Sequence, residues 1–225
     1  MPDTPILALD AVTFAHAGMP ALFSGLCFSL GRGEHVGLYG PNGSGKTTLL
    51  RLIMGLEVPQ GGRVLFHGEP VSGGEALRRL RRGIGFVLQN SDDQLFSATV
   101  LEDVAFGPLN LGLNRREARD RAMETLESLG LAPLADRPAP RLSGGEKKMA
   151  AIASVLSMHP EALLLDEPTA FLDDASRDRI TAILRGRDMA RIVVSHDKAF
   201  LEQATSSIMR IDNSNLVAAG RSCRE

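Results

Sequence analysis

A glycine-rich segment near the amino terminus has the composition and spacing of a phosphate-binding loop. Residues 40–48 read GPNGSGKTT, follow an apolar run and open a helical one, as the pattern G-x-x-x-x-G-K-[ST] requires. Glycines let backbone N–H groups surround phosphate oxygens, and the helix amino terminus adds partial positive charge. Lys46 can bind the β- and γ-phosphates, and the Thr47 hydroxyl can ligate Mg²⁺. The predicted nucleotide-binding residues are Gly40, Pro41, Asn42, Gly43, Ser44, Gly45, Lys46, Thr47 and Thr48.

Two acids close an apolar run in the second half of the chain. The run ALLLDEP, at 162–168, ends in Asp166 and Glu167 and is typical of a strand covered on both faces in a parallel sheet. Neighbouring strand residues point to opposite faces, so the two acids have different tasks. Asp166 is suited to hold Mg²⁺ through Thr47 or through a water molecule. Glu167 is suited to orient or deprotonate the attacking water. Ordinary solvated acids at a strand end are the alternative.

The elements that must position these groups are strands followed by crossover helices. Strand-like runs occupy 6–14, 26–30, 34–39, 63–66 and 84–88, and later 162–166, 191–194 and 206–211. Helical patterns follow the glycine-rich segment and recur at 114–129, 147–158, 175–184 and 198–203. Because strands alternate with helices, we predict an α/β fold, with residues from about 91 to 159 as an inserted helical subdomain.

Composition narrows the classes of function. The chain has 225 residues, with 25 basic and 27 acidic side chains and a formal charge of −2, which argues against nucleic-acid binding through overall positive charge. Aromatic residues make up 4%, which disfavours a base-stacking platform. The uncharged stretch 11–31 contains His16 and Pro20 and is too polar for a membrane helix. We therefore expect a soluble chain whose membrane role would come through a partner.

A third motif, LSGGE at 142–146, makes the chain resemble the ATP-binding subunits of ABC transporters. The motifs follow that family's order over essentially the full length: the glycine-rich loop, Gln89 after an apolar strand, LSGGE, ALLLDEP, FLD at 171–173 and VVSHD at 193–197. Small GTPases and nucleotide kinases lack LSGGE. The resemblance implies a P-loop NTPase (RecA-like) core with an N-terminal antiparallel β region. It implies one ABC ATPase domain over 1–225, with the subdomain about 91–159 inserted between 1–90 and 160–225.

The resemblance also implies ATP hydrolysis with Mg²⁺, and it implies roles for single residues. Glu167 would be the catalytic carboxylate, His196 would hydrogen-bond the γ-phosphate and hold that base, and Gln89 would sense Mg²⁺ and the lytic water. The implied metal set is Thr47, Gln89 and, through water, Asp166. The residues implied to bind ATP held by a second subunit are Ser143, Gly144, Gly145, Glu146 and Asp173. LSGGE is itself a second glycine-rich helix start, so two chains arranged head to tail can wrap two ATPs.

Three positions depart from the family pattern. His16 stands where the family usually stacks adenine on an aromatic ring, so we expect a weaker adenine contact; a plain surface-loop residue is the alternative. Met149 stands where arginine is common, and Phe171 replaces a small residue before Asp173. None of these changes removes catalytic chemistry.

The stretch 89–113 resembles the ATPases of energy-coupling-factor importers. It is most similar to the group associated with cobalt uptake and, after that, to the group associated with nickel uptake. The implied partners are a second copy or second ATPase subunit, a transmembrane coupling subunit and a substrate-binding membrane subunit, at the cytoplasmic face of the membrane. Nickel or another substrate, a soluble ABC ATPase acting on nucleic acid, and a regulator without turnover are alternatives. The short interval between the glycine-rich loop and LSGGE, together with the single cassette, disfavours a soluble ATPase acting on nucleic acid, so we predict no nucleic-acid partner. The presence of Glu167 and His196 disfavours a regulator without turnover.

Apolar residues between 95 and 106 have two possible uses. They can form the core of the helical subdomain, or an exposed groove that takes a short helix of the membrane subunit. The residues concerned are Leu95, Phe96, Val100, Leu101, Val104 and Phe106.

Overall fold

Two β-sheets organise the chain, which a computed structural model describes for residues 4–212 and 215–218. The strands are β1 Leu7–Phe14, β2 Phe23–Leu30, β3 His35–Tyr39, β4 Gly61–Phe66, β5 Glu69–Pro70, β6 Ile84–Val87, β7 Ala162–Asp166, β8 Ala190–Val194, β9 Ser207–Asp212 and β10 Asn215–Ala218. The helices are α1 Lys46–Ile53, α2 Gly73–Gly83, α3 Val100–Asn110, α4 Arg115–Ser128, α5 Gly144–Leu156, α6 Asp174–Arg185 and α7 Lys198–Ala204. The α/β fold predicted from the sequence is confirmed.

The larger sheet positions the candidate site. Its strand order is β10-β9-β3-β8-β7-β6, and all neighbours are parallel except β10 against β9. Every residue of β7 and β8 is buried, as expected for strands covered on both faces. The carboxyl ends of β3, β7 and β8 therefore meet at one edge of the sheet, where open α/β sheets bind ligands.

The smaller sheet is antiparallel, with strand order β2-β1-β4-β5. Its central strand β1 pairs Leu7 with Leu30 on one side and with Phe66 on the other. The inward-facing residues of this sheet pack in one core with α1 and part of the larger sheet. This is the N-terminal antiparallel region that the resemblance implied.

Helices α3, α4 and α5 lie between β6 and β7, within the segment predicted to be helical. Ala118, Ala122 and Leu126 form the buried face of α4, as the sequence periodicity predicts. The division of the chain at about 91 and 159 stays a prediction. None of the helices in the described residues is long and apolar enough to cross a membrane.

Candidate active site

The glycine-rich segment forms a tight turn between β3 and α1, here called the phosphate loop (residues 40–45). Gly43 and Gly45 have φ angles of +80° and +97°, a region that side chains disfavour. A Cβ at Gly45 would also lie 3.0 Å from the methyl carbons of Leu22. Glycine is therefore required at these positions, and the loop leaves its backbone N–H groups at the start of α1.

Lys46, the first residue of α1, is buried beneath the phosphate loop. Its Nζ donates to the carbonyl oxygens of Gly40 and Pro41, each at 2.8 Å. Burial lowers the pKa of this ammonium, and the negative charges of Glu167 and Asp166 raise it. The ammonium thus lies between the loop and the acid pair, where a triphosphate would give it a charged partner.

Asp166, the last residue of β7, is buried. Burial raises the pKa of its carboxyl, the Thr47 side chain lowers it by hydrogen bonding, and Glu167 raises it. Its Oδ1 has no hydrogen-bond partner among the described residues, and such an orphaned buried oxygen suits a cation. Thr47 and Gln89 line the same cavity, so hydroxyl, amide and carboxylate oxygens converge. This oxygen set fits Mg²⁺.

Glu167 lies one residue beyond β7, with its φ angle at +46° and its side chain buried. The Glu167 backbone N–H donates to the carbonyl oxygen of Val194 at 2.9 Å, which ties it to the end of β8. Oε2 of the Glu167 carboxylate lies 2.9 Å from Nδ1 of His196, whose ring is exposed. The two strand ends therefore hold a carboxylate and an imidazole in contact beside the phosphate loop.

A cavity of about 570 Å³ brings most of the predicted residues together. It is lined by His16, Asn42, Gly43, Gly45, Lys46, Thr47, Thr48, Gln89, Asp166, Glu167 and His196, among others. Gly40, Pro41 and Ser44 belong to the same loop without lining this cavity. The His16 ring lies edge-on to Phe14, and its Nε2 is 3.4 Å from the Thr48 hydroxyl. His16 is exposed and lines the cavity, so it lies at the mouth.

The second glycine-rich segment, here called the signature turn (residues 142–146), caps α5. The backbone N–H of Glu146 donates to the Ser143 hydroxyl at 3.3 Å, and the N–H of Ser143 donates to Glu146 Oε2 at 2.8 Å. These hydrogen bonds lower the pKa of Glu146. A Cβ at Gly145 would run into the side chain of Ser176, whose N–H donates to Asp173 at the start of α6. The signature turn and Asp173 are therefore neighbours.

The signature turn does not line the large cavity. It faces a separate cavity of about 230 Å³, which includes Leu142 and Gly144 and shares Gln89 and Phe171 with the large one. Within one chain the two glycine-rich segments thus serve different cavities.

Sequence analysis missed the placement of Lys148 on α5. Its Nζ donates to the carbonyl oxygens of Leu88 at 3.0 Å and Gln89 at 2.7 Å. Burial lowers the pKa of Lys148 to about 8, and the charges of Asp166 and Glu167 raise it. The available signal was a pair of lysines, Lys147 and Lys148, at the start of the otherwise largely apolar run 147–158. The adjacent Met149 is buried in the core.

Phe171 is also unusual in its surroundings. Its φ angle is +61° and its side chain is 101% exposed, at the rim of both cavities. An exposed aromatic side chain in the left-handed region combines backbone strain with unburied apolar surface.

Comparison with known proteins identifies the family. A family model described as "ABC transporter" matches residues 23–170. The cobalt import ATP-binding protein CbiO of Rhodobacter capsulatus is 47% identical, over 86% of this chain and 71% of that protein. The nickel import ATP-binding protein NikO of the same organism is 43% identical, over 96% of this chain and 89% of that protein. The structure of cbiO1 from Clostridium perfringens, described as part of the ABC transporter complex cbiONQ, matches with a TM-score of 0.85 and 33% identity, over 95% of this chain and 87% of that one. The chain therefore belongs to the ABC transporter family, as one of its ATP-binding ATPases.

Proposed function

We propose that this ATPase powers an energy-coupling-factor importer for a transition-metal ion, with cobalt the first candidate and nickel the alternative. The observation that carries the proposal is the contact between Glu167 and His196 beside the phosphate loop, in a chain similar to CbiO and NikO. The contact supports turnover, and the two relatives support the kind of cargo.

ATP binding is assigned to the large cavity. The backbone N–H groups of residues 42–48 and the ammonium of Lys46 surround the phosphates, since both lie at the amino terminus of α1. The adenine lies towards His16 at the mouth of the cavity. The residues that would hold Mg²⁺ are Thr47, Gln89 and, through water, Asp166. When bound, the ion neutralises charge on the β- and γ-phosphate oxygens.

Hydrolysis is assigned to the carboxylate of Glu167. It accepts a proton from, or orients, the water that attacks the γ-phosphate, because it is buried beside the phosphate loop. His196 holds this carboxylate through the 2.9 Å contact at Nδ1, which leaves the other ring nitrogen for the γ-phosphate. Lys46 stabilises the charge that develops on the transferred group.

A second copy, or a second ATPase subunit, completes each site. The signature turn is an anion site that lines a different cavity from the phosphate loop of its own chain. In a head-to-tail dimer with two-fold symmetry, Ser143, Gly144, Gly145 and Glu146 of one chain face the triphosphate held by the other. Asp173 lies at this interface because it neighbours the signature turn.

An exposed aromatic patch, formed by Phe96 and Phe106, is assigned to the membrane subunit. The two rings meet edge to face at 4.9 Å, and they are 65% and 46% exposed. Leu95, Val100, Leu101 and Val104, the other candidates for this groove, are buried in the core. A short helix of the membrane partner packing on the patch would place the ATPase at the cytoplasmic face of the membrane.

Reconstitution tests the proposal. The ATPase is purified with the membrane subunits, placed in liposomes, and assayed for ATP turnover and metal uptake with cobalt, nickel or neither. The expected result is ATP-dependent cobalt uptake that disappears with Glu167→Gln. Nickel uptake alone selects the alternative cargo. Turnover that no metal affects and that nucleic acid stimulates would overturn the importer assignment.

A further inference from the structure

The segment after β6, residues 88–94 and here called the linker segment, lies against α5. It contains Gln89, whose side chain lines the nucleotide cavity with Asp166 and Glu167. Gln89 is exposed, and the chain around it forms neither strand nor helix until the short turn at Ser91–Asp93. Its position therefore depends on contacts made by other parts of the chain.

Lys148 fixes the start of the linker segment. The Lys148 side chain is 4% exposed, and its ammonium donates to two successive backbone carbonyls, those of Leu88 and Gln89. Both recorded acceptors are neutral, while Asp166 and Glu167 act on the ammonium only at longer range. A buried cation with neutral acceptors is expensive to desolvate, so a structural purpose alone would be served better by an apolar residue.

Gln94 fixes the far end. Its Oε1 accepts the backbone N–H of Leu88 at 3.1 Å, and its Nε2 donates to Ala151 O at 2.9 Å and to Ser154 Oγ at 3.1 Å. The linker segment is thus tied to α5 at both ends. Because α5 begins at the signature turn, Gln89 is mechanically joined to the segment assigned to the partner's nucleotide.

We propose that Lys148 is a positioning residue for hydrolysis: it holds the Gln89 backbone so that the Gln89 amide faces the Mg²⁺ site and the attacking water, and it makes Gln89 move with the signature turn. The inference rests on the proposed role of Gln89. Lys148 itself does not touch the nucleotide. Its contribution is made through Gln89, and this separates it from a general stabilising role.

The test compares Lys148→Met and Lys148→Gln with the parent for ATP turnover, nucleotide binding and thermal stability. Methionine removes both hydrogen bonds, and glutamine keeps a polar N–H group on a shorter side chain. We expect Lys148→Met to lower kcat by about 10–100-fold, as displaced catalytic groups do, with KM for MgATP nearly unchanged. Lys148→Gln should recover part of kcat. Arg63→Met, which breaks the exposed 2.9 Å pair between Arg63 and Asp10 on the smaller sheet, is the control and should keep the parental kcat.

A double-mutant cycle with Gln89→Ala separates positioning from stabilisation. If Lys148 acts through Gln89, Lys148→Met has no further effect on kcat in the Gln89→Ala background. Additive losses overturn the inference while leaving the role of Gln89 intact. A parental kcat in Gln89→Ala overturns the role of Gln89 and the inference together.

Two other outcomes also overturn the inference. One is a parental kcat in folded Lys148→Met; if that variant does not fold, a parental kcat in Lys148→Leu, which also lacks a donor, decides in the same way. The other is a rise in KM with kcat unchanged, because Lys148 would then act on nucleotide binding.

Discussion

Oε2 of Glu167 and Nδ1 of His196 lie 2.9 Å apart, across the ends of two adjacent parallel strands. The backbone reinforces the contact, since the N–H of His196 also points at the same oxygen, at 3.4 Å. The carboxylate is therefore held by the residue that follows Ser195 after β8. Two contacts from His196 fix its orientation and limit the rotation of the Glu167 side chain.

Replacing Glu167 with glutamine should abolish most turnover and spare binding. The amide keeps the size of the side chain but cannot accept a proton, so we expect kcat to fall by about 10²–10⁴-fold. Phosphate release measures turnover, and titration with a fluorescent ATP analogue measures binding. Glu202→Gln, on the exposed face of α7, is the control. Parental turnover in Glu167→Gln would remove this residue from the mechanism.

Phe171→Asn should make the isolated chain more stable. Phenylalanine at a φ of +61° is strained, asparagine tolerates this region, and the fully exposed ring has no packing to lose. The expected gain is about 1 kcal/mol in the free energy of unfolding. Urea unfolding of both proteins without nucleotide measures it, with Phe96→Asn as the control at an unstrained position. A lower unfolding free energy for Phe171→Asn would contradict the backbone argument.

Stability should fall as the pH is lowered below about 6.5, the ordinary pKa of histidine. Burial and the nearby Arg191 guanidinium, whose Nη2 lies 3.0 Å from His35 Nδ1, lower the pKa of His35, while Asp188 raises it. The unfolded chain therefore takes up this proton at a higher pH than the folded chain, so acid favours unfolding.

His35→Gln tests this dependence because glutamine keeps an acceptor for Arg191 and does not titrate. The difference in Tm between pH 7.5 and pH 5.5 should be smaller than in the parent. The same substitution at the exposed His159 should leave that difference as it is. An undiminished pH dependence in His35→Gln would assign the effect to other groups.

Phe96→Ser should separate partner binding from catalysis. The ring belongs to the aromatic patch and lies outside the nucleotide cavity, so basal ATP turnover should stay parental while co-purification with the membrane subunits is lost. Val58→Ser, at an 80% exposed position elsewhere, is the matched control and should co-purify normally. If the double variant Phe96→Ser/Phe106→Ser still co-purifies normally with the membrane subunits, the membrane contact lies on another surface.

Patterns among adjacent residues were enough to predict some of the secondary-structure elements. The phosphate loop, the amphipathic α4 and the buried β7 all carry period, capping or glycine signals in adjacent residues. The bounds of α3 were not predicted because Gly107 and Pro108 interrupt its pattern, and those of α2 were not predicted because a single leucine, Leu80, is its buried residue.

Contacts between distant residues could not be predicted in this way. Lys148 and Gln89 are 59 positions apart, and their hydrogen bond depends on how α5 crosses the end of β6. The nearness of His16 to Thr48 likewise depends on how the smaller sheet packs on α1. The residue types were visible in the sequence, but the partners of their side chains required the packing.

The left-handed backbone at Glu167 creates a conflict between thermal stability and catalytic activity in this enzyme. Asparagine or glycine would relax that peptide geometry, yet neither offers a carboxylate to water. Selection for thermal stability alone would therefore favour a residue at position 167 that leaves the protein inactive. Variants that are both stable and active must gain their extra stability at other positions of the chain.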